Sequence, residues 1–109
     1  MSDSASWSTL SPARRRLVSL FQQVNFGRIE SLLVRDGEPV FDPPPRIVRE
    51  VKFGGENGPR PELKRTDFQL KTQVIEIFSA LDPIRDGTID AIEVKHGLPF
   101  RMFLPGGVA

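Results

Sequence analysis

The 109-residue chain contains no cysteine and only one histidine. The first absence excludes a disulfide, a thiolate nucleophile, a zinc–thiolate site and an iron–sulfur cluster; the second excludes a multi-histidine metal centre. No apolar run approaches the roughly 20 residues that a membrane-crossing helix needs. The polar start, Met1 to Leu10, lacks the charged and then apolar regions of a signal peptide, so the cytoplasm is the expected compartment and no membrane partner is expected. An excess of one charge is missing too: 15 Lys and Arg stand against 14 Asp and Glu, a net +1 that argues against a strong field for a polyanion. What is present, 39% hydrophobic and 27% charged residues, describes an ordinary globular protein of one domain.

Residues 1–10 are Ser-rich without apolar periodicity and read as a flexible tail, in which Trp7 is more readily mobile than pinned. Ser11-Pro12 then offers a side-chain cap followed by a residue suited to the first helical position. Leu17, Val18, Leu20, Phe21 and Val24 make one apolar stripe, predicting a helix over 12–24. From Gly27 to Val34 the chain is aliphatic and β-branched; Asp36-Gly37 predicts a tight hairpin, and 38–41 a short return strand kept to an edge by Pro39. Pro43-Pro44-Pro45 is a stiff connector, and residues 46–53 alternate as a half-buried strand, with Ile47, Val51 and Phe53 on one side. After a Gly- and Pro-rich loop, Thr66 or Asp67 caps a second helix that carries Val74, Ile77, Phe78 and Leu81 and is stopped by Pro83. Strands over 87–94 and 99–104, joined by a turn at 95–98, complete the domain. It spans 11–105, and 106–109 form a flexible tail.

The chain also resembles itself at an ungapped offset of 60 residues. Gly27, Ile29, Val34, Gly37 and Pro39 recur as Gly87, Ile89, Val94, Gly97 and Pro99, five identities in a 13-residue window. Chance at an average residue frequency of roughly 6–7% gives about one. Leu17, Val18, Phe21 and Val24 align with Ile77, Phe78, Leu81 and Ile84. The first glycine of each copy is expected to give a left-handed exit from the helix, and the second to supply the positive φ of the hairpin. In both strands the apolar residues change parity, near Glu30-Ser31 and Asp90-Ala91, which a bulge or burial on both faces would explain. Two repeats, about 11–53 and 66–104, are too small to stand alone. Together they predict an α+β fold of order α-β-β-β-α-β-β, two helices packed on a mostly antiparallel sheet.

Leu20 to Val40, with its helix, aromatic-Gly-x-Ile strand and Val-x-Asp-Gly turn, resembles the small bacterial YezD-like proteins, and Ala80 to Phe100 does so more loosely. The proline after the turn and the triple-proline connector depart from that pattern. The resemblance implies a bacterial unit that dimerises, here fused into one polypeptide, and carries over no catalytic residue or reaction.

Candidate chemistry is sparse. Asp82 to Glu93 matches an EF-hand calcium loop at its first, fifth, sixth, eighth, ninth and twelfth positions, but Ile84 stands at the third and the following Val94 to Pro99 suits a helix poorly. Arg14, Arg15 and Arg16 with Arg46, Arg49 and Lys52 would contact phosphates if they shared a face, yet acids are interspersed and no aromatic-rich strand offers a stacking platform. His96, the one base near neutral pH, falls in a turn whose counterpart is Asp36, and no phosphate-loop pattern or catalytic triad is evident. The expectation is a non-enzymatic interaction module or assembly subunit without a cofactor. It acts through its sheet face or edges on an unidentified protein or on itself, with weak nucleic-acid binding second and calcium third. Gly27, Gly37, Pro39, Gly87, Gly97 and Pro99 serve as structural turn residues.

Overall fold

The computed structural model describes residues 7–54 and 71–106. A single 3-10 turn, Trp7–Thr9, leads into α1 (Pro12–Val24); then come β1 (Gly27–Arg35), β2 (Glu38–Val40), β3 (Arg46–Arg49), α2 (Thr72–Ile84), β4 (Gly87–Lys95) and β5 (Leu98–Phe103). The fold is α+β in the expected order, with two helices and one five-stranded sheet whose described pairings are all antiparallel.

Both helices and both long strands recur at the 60-residue spacing, and so does their pairing. β1 and β4 lie side by side in the centre of the sheet, where Gly27 faces Val94 and Gly87 faces Val34, each pair being the other's counterpart. Such a register relates the halves by an approximate two-fold axis. Ile29 faces Ile92 and Leu32 faces Ile89, and all four are fully buried. The parity change read from the sequence is therefore real. It occurs in the two strands side by side, around Ser31 (φ 59°) and Asp90, so the register continues unchanged beyond it.

The core is one cluster: Leu17, Val18, Phe21 and Val24 of α1, Val74, Ile77, Phe78 and Leu81 of α2, and Ile29, Leu32, Val34, Ile89, Ile92 and Val94 of the central strands. The helical stripes thus cover one face of the sheet. Burying a side chain of this size contributes about 1.5–3 kcal/mol, and the shared core supplies what a single half would lack.

Several local expectations are corrected. The N-terminal order begins before Ser11: Ser8 O accepts from Arg15 Nη2 at 2.8 Å and Leu10 packs against the core. Each helix already turns to positive φ at Asn25 (φ 62°) and Arg85 (φ 60°), whose N–H groups donate to Phe21 O and Leu81 O; of the glycines two residues later only Gly27 (φ 154°) has positive φ, and Gly87 does not. Pro83 lies inside the last turn of α2 and does not stop it, because a proline there removes only one terminal helical hydrogen bond. The N-cap of α2 is Lys71, without a side-chain bond; Thr66, Asp67, Phe68 and Leu70, like residues 1–6 and 107–109, lie outside the described residues. Strand β3 is only four residues long, and Ile47, Val51 and Phe53 are exposed. It adds no new column to the sheet: β2 and β3 run along the same edge of β1, and Phe41 to Pro45 loops out between them.

The hairpins behave as read. Asp36-Gly37 (φ 53° and 76°) and His96-Gly97 (φ 55° and 73°) have positive φ at both central residues, the geometry of a primed turn that matches strand twist. Each turn is held by the other half, Gly37 N–H donating to Arg85 O at 2.9 Å and Gly97 N–H to Asn25 O at 3.0 Å. Pro39 and Pro99 are buried opposite Val34 and Val94.

Candidate interaction surfaces

The two ends of the pseudo-symmetric sheet share a backbone and differ in chemistry. At one end, α2 runs into β4 beside the first hairpin. Arg14, on the first turns of α1, is a clamp here: its Nη2 donates to Asp82 Oδ1 at 2.7 Å and to Gly37 O at 3.0 Å. Its Nε stands 3.2 Å from Glu38 Oε2 as an ion pair without hydrogen-bond alignment, and its guanidinium lies 5.0 Å from the Phe78 ring centre. Ser11 caps α1 through Arg14 N–H and donates its hydroxyl to Glu38. Arg85 pairs with Asp36, whose N–H donates to Asp86 Oδ1 at 2.9 Å. Arg14 and Arg85 are thus paired with Glu38, Asp82 and Asp36, Asp86 is met by a backbone N–H, and the acids outnumber the cations at this end. The counterparts of Arg14 and Glu38 are Val74 and Leu98, so the clamp exists in one half only.

At the other end, α1 runs into β1 beside the second hairpin. The counterparts of Asp86 and Asp36 here are Phe26 and His96, whose rings meet edge-on at 4.8 Å, with Lys52 Nζ 4.7 Å from the Phe26 ring. Next to them Arg28, Arg49, Glu50, Glu93 and Lys95 line an open depression of about 290 Å³. Glu93 is engaged by Arg101 at 2.9 Å, and Arg28 by Glu30 at 3.0 Å. Phe100, half-exposed, lies beneath both Lys95 Nζ at 4.2 Å and the Arg101 guanidinium at 4.7 Å.

The edges differ as well. β5 follows β4 from Lys95 to Ala91, broken only by a bulge that leaves Phe100 out of register, and its outer side pairs with no strand among the described residues. Phe100, Phe103 and Leu104 are 51%, 44% and 46% exposed along it. The opposite edge is interrupted by the prolines. Pro44 and Pro45, with Phe41 and Ile47, wall a groove of about 290 Å³ against Leu20 of α1, and Arg16 stacks on Phe41 at 4.5 Å.

The six cations expected to contact phosphate are therefore dispersed. Arg14 is tied into the clamp, Arg15 bonds Ser8 and Arg16 faces the proline groove, all on the helical side. Arg46 stands 3.7 Å from Glu30, and only Arg49 and Lys52 reach the aromatic end. Sequence reasoning missed Phe26, Arg28, Lys95, Phe100 and Arg101 because they meet only through the β1–β4–β5 register; the signal was present in the unmatched partners of the repeat, where acids of one copy align with Phe26 and His96. The calcium-loop register forms the end of α2 and the start of β4 in place of a loop between helices, and no group of three His, Asp or Glu able to hold a metal occurs among the described residues. No helix of the described residues is long and apolar enough to cross a membrane. No protein-family model, curated protein or solved structure matches the chain.

Proposed function

We propose that this protein is a non-enzymatic interaction module or assembly subunit that accepts an extended segment of a partner protein along the outer edge of β5. The observation that carries this reading is the inequality of the two sheet edges. A free edge is a row of unpaired N–H and C=O groups ready to template another strand. On the β2–β3 side that row is broken by the Phe41–Pro45 excursion. On the β5 side Pro99 lacks an N–H and Phe100 is bulged, but Arg101–Phe103 runs regularly along β4 and is flanked by exposed Phe100, Phe103 and Leu104, which would pack against side chains of an added strand. We also read the halves as copies of one ancestral unit, and the two-fold β1–β4 register supports the duplication; that the unit was YezD-like rests on the sequence resemblance alone.

A photo-crosslinking residue placed at Phe103, compared with one at the exposed Ile75 of α2, tests the edge reading in cells expressing the chain. The expected result is a discrete protein adduct from position 103 alone, lost when Met102→Pro removes a backbone donor and distorts the strand. Equal adducts from both positions, or none from 103, would refute it. Thermal melting checks that the proline variant is folded.

A further inference from the structure

We propose that the end of the sheet where α1 enters β1 binds single-stranded nucleic acid, with phosphates held by Arg49 and Lys95 and a base stacked at Phe100. It shares Phe100 with the edge reading but rests on Arg49 and Lys95, which that reading does not use, so either can fail alone.

Four segments converge on this corner. Gly97 N–H donates to Asn25 O, Glu50 N–H donates to Phe26 O at 2.8 Å, and Gly27 lies between Val94 on one side and Arg49 on the other. The convergence concentrates charge that is scattered in sequence. Arg28, Arg49 and Lys95 enter one depression, with Arg101 at its rim. Two of these cations have carboxylate partners, in Glu30 and Glu93, whereas Arg49 and Lys95 have none among the described residues. Glu50 is the remaining acid of the lining, leaving a net positive site. A phosphate supplies the missing counter-charge, and its affinity is driven by counterion release.

The aromatic groups narrow the ligand class. Phe100 is half-exposed and carries two cations; it opens on the adjoining groove against Gln73, Glu76 and Ile77 of α2, and Lys95, which lines the depression, joins the two. Exposed rings and guanidinium planes take unstacked bases, which a single strand offers and a duplex does not. A depression of about 290 Å³ is open enough for one nucleotide and too small to seat a duplex groove. The pseudo-equivalent corner is a contrast: it lacks a counterpart of β3 and of the bulge at Phe100, and it carries Asp36, Asp82 and Asp86, with Val40 in register at the place of Phe100.

The test is fluorescence anisotropy with labelled 12-nucleotide oligo(dT) and oligo(U), a blunt duplex of equal length and a poly-glutamate peptide, each at 50 and 200 mM salt. Either single strand is expected to bind more tightly than the duplex and the peptide. Each phosphate contact adds roughly 0.7 to the slope of log affinity against log salt for single strands. Arg49→Gln with Lys95→Gln should therefore lower the slope by about 1.4, making the affinity loss between the two salts about sevenfold smaller. Phe100→Leu should weaken binding at least about fivefold at both salts and leave the slope unchanged. Arg35→Gln, at the counterpart of Lys95, should change neither. Circular dichroism verifies that each variant is folded. The proposal is overturned by dissociation constants weaker than about 10⁻⁴ M at 50 mM salt, by poly-glutamate or duplex binding as tightly as the single strands, or by an unchanged slope in the double variant.

Discussion

Gly27 and Gly87 occupy the same place in the repeat, yet alanine should be destructive at one and harmless at the other. A Cβ built on Gly27 lies 2.0 Å from Val48 O and 3.0 Å from both Arg49 Cα and Val24 Cγ1, and the residue has φ +154°. The closest of these is a backbone atom of β3, so relief requires β3 to move about 1 Å or more from β1. Overpacking of this kind costs about 1–3 kcal/mol, and a side chain in this sparsely populated positive-φ region about 1–3 kcal/mol more. Gly27→Ala is therefore expected to lose about 3 kcal/mol, or roughly 12–24 °C in Tm at the 4–8 °C per kcal/mol typical of small domains. Gly87 has no positive φ, and its added Cβ would meet only the end of the Ile84 side chain at 3.4 Å. Gly87→Ala should fall within about 0.5 kcal/mol of the parent, since reduced unfolded-state entropy offsets a minor adjustment. Urea denaturation followed by circular dichroism measures both. Equal losses at the two glycines, or a neutral Gly27→Ala, would show that β3 does not press on β1 as described.

The hairpin glycines should respond alike, Gly37→Ala and Gly97→Ala each costing about 1–2 kcal/mol, because both sit at positive φ; a large difference in their Tm losses would contradict the shared turn geometry. Ser11→Ala removes the side-chain cap of α1 and should cost about 1 kcal/mol by urea denaturation. Double-mutant cycles on the clamp should give about 1 kcal/mol between Arg14 and the partly exposed Glu38 and under about 0.5 kcal/mol between Arg14 and the more exposed Asp82; the reverse order would mean that solvent screening does not govern the clamp. Phe21→Ala, at a fully buried core position, should cost about 3–5 kcal/mol.

Element order was legible because the chain writes it twice in local signals. Stripes at helical spacing, Asp-Gly and His-Gly turns and the parity change in each strand depend on neighbours within a few residues. The errors arose where a second segment decides the outcome. Whether a glycine is crowded depends on a distant segment: β3 packs on Gly27 and nothing packs on Gly87 in the same way, and nothing near Gly27 announces Val48. Whether Ile47 is buried depends on how far the prolines carry β3 along an edge. The candidate sites follow the same rule. The contiguous Arg14, Arg15 and Arg16 attracted attention as a basic run, but the fold gives them three different duties. Arg28, Arg49, Lys95 and Arg101 are isolated in sequence and become neighbours only through antiparallel register.

Repetition itself then explains why function concentrates in the departures from it. A two-fold scaffold presents each backbone environment twice, and residues needed for the scaffold must satisfy both copies: Val34 and Val94, Gly37 and Gly97, and Pro39 and Pro99 are retained in both halves. Positions free of that demand can diverge. One of the two ends has become a clamp in which Arg14 joins Glu38, Asp82 and Gly37 and holds α1 to the other half. Its counterpart, with Val74 and Leu98, has no such clamp, and next to it gather two cations without carboxylate partners among the described residues and a half-exposed ring. Cations beside exposed aromatic surface contribute little to folding, because ion pairs and cation–ring contacts at such exposed sites are worth about 1 kcal/mol or less. If this surface binds a single strand, as proposed, the double variant Arg49→Gln with Lys95→Gln separates folding from binding: it should leave the unfolding free energy within about 0.5 kcal/mol of the parent while flattening the salt dependence of oligonucleotide binding.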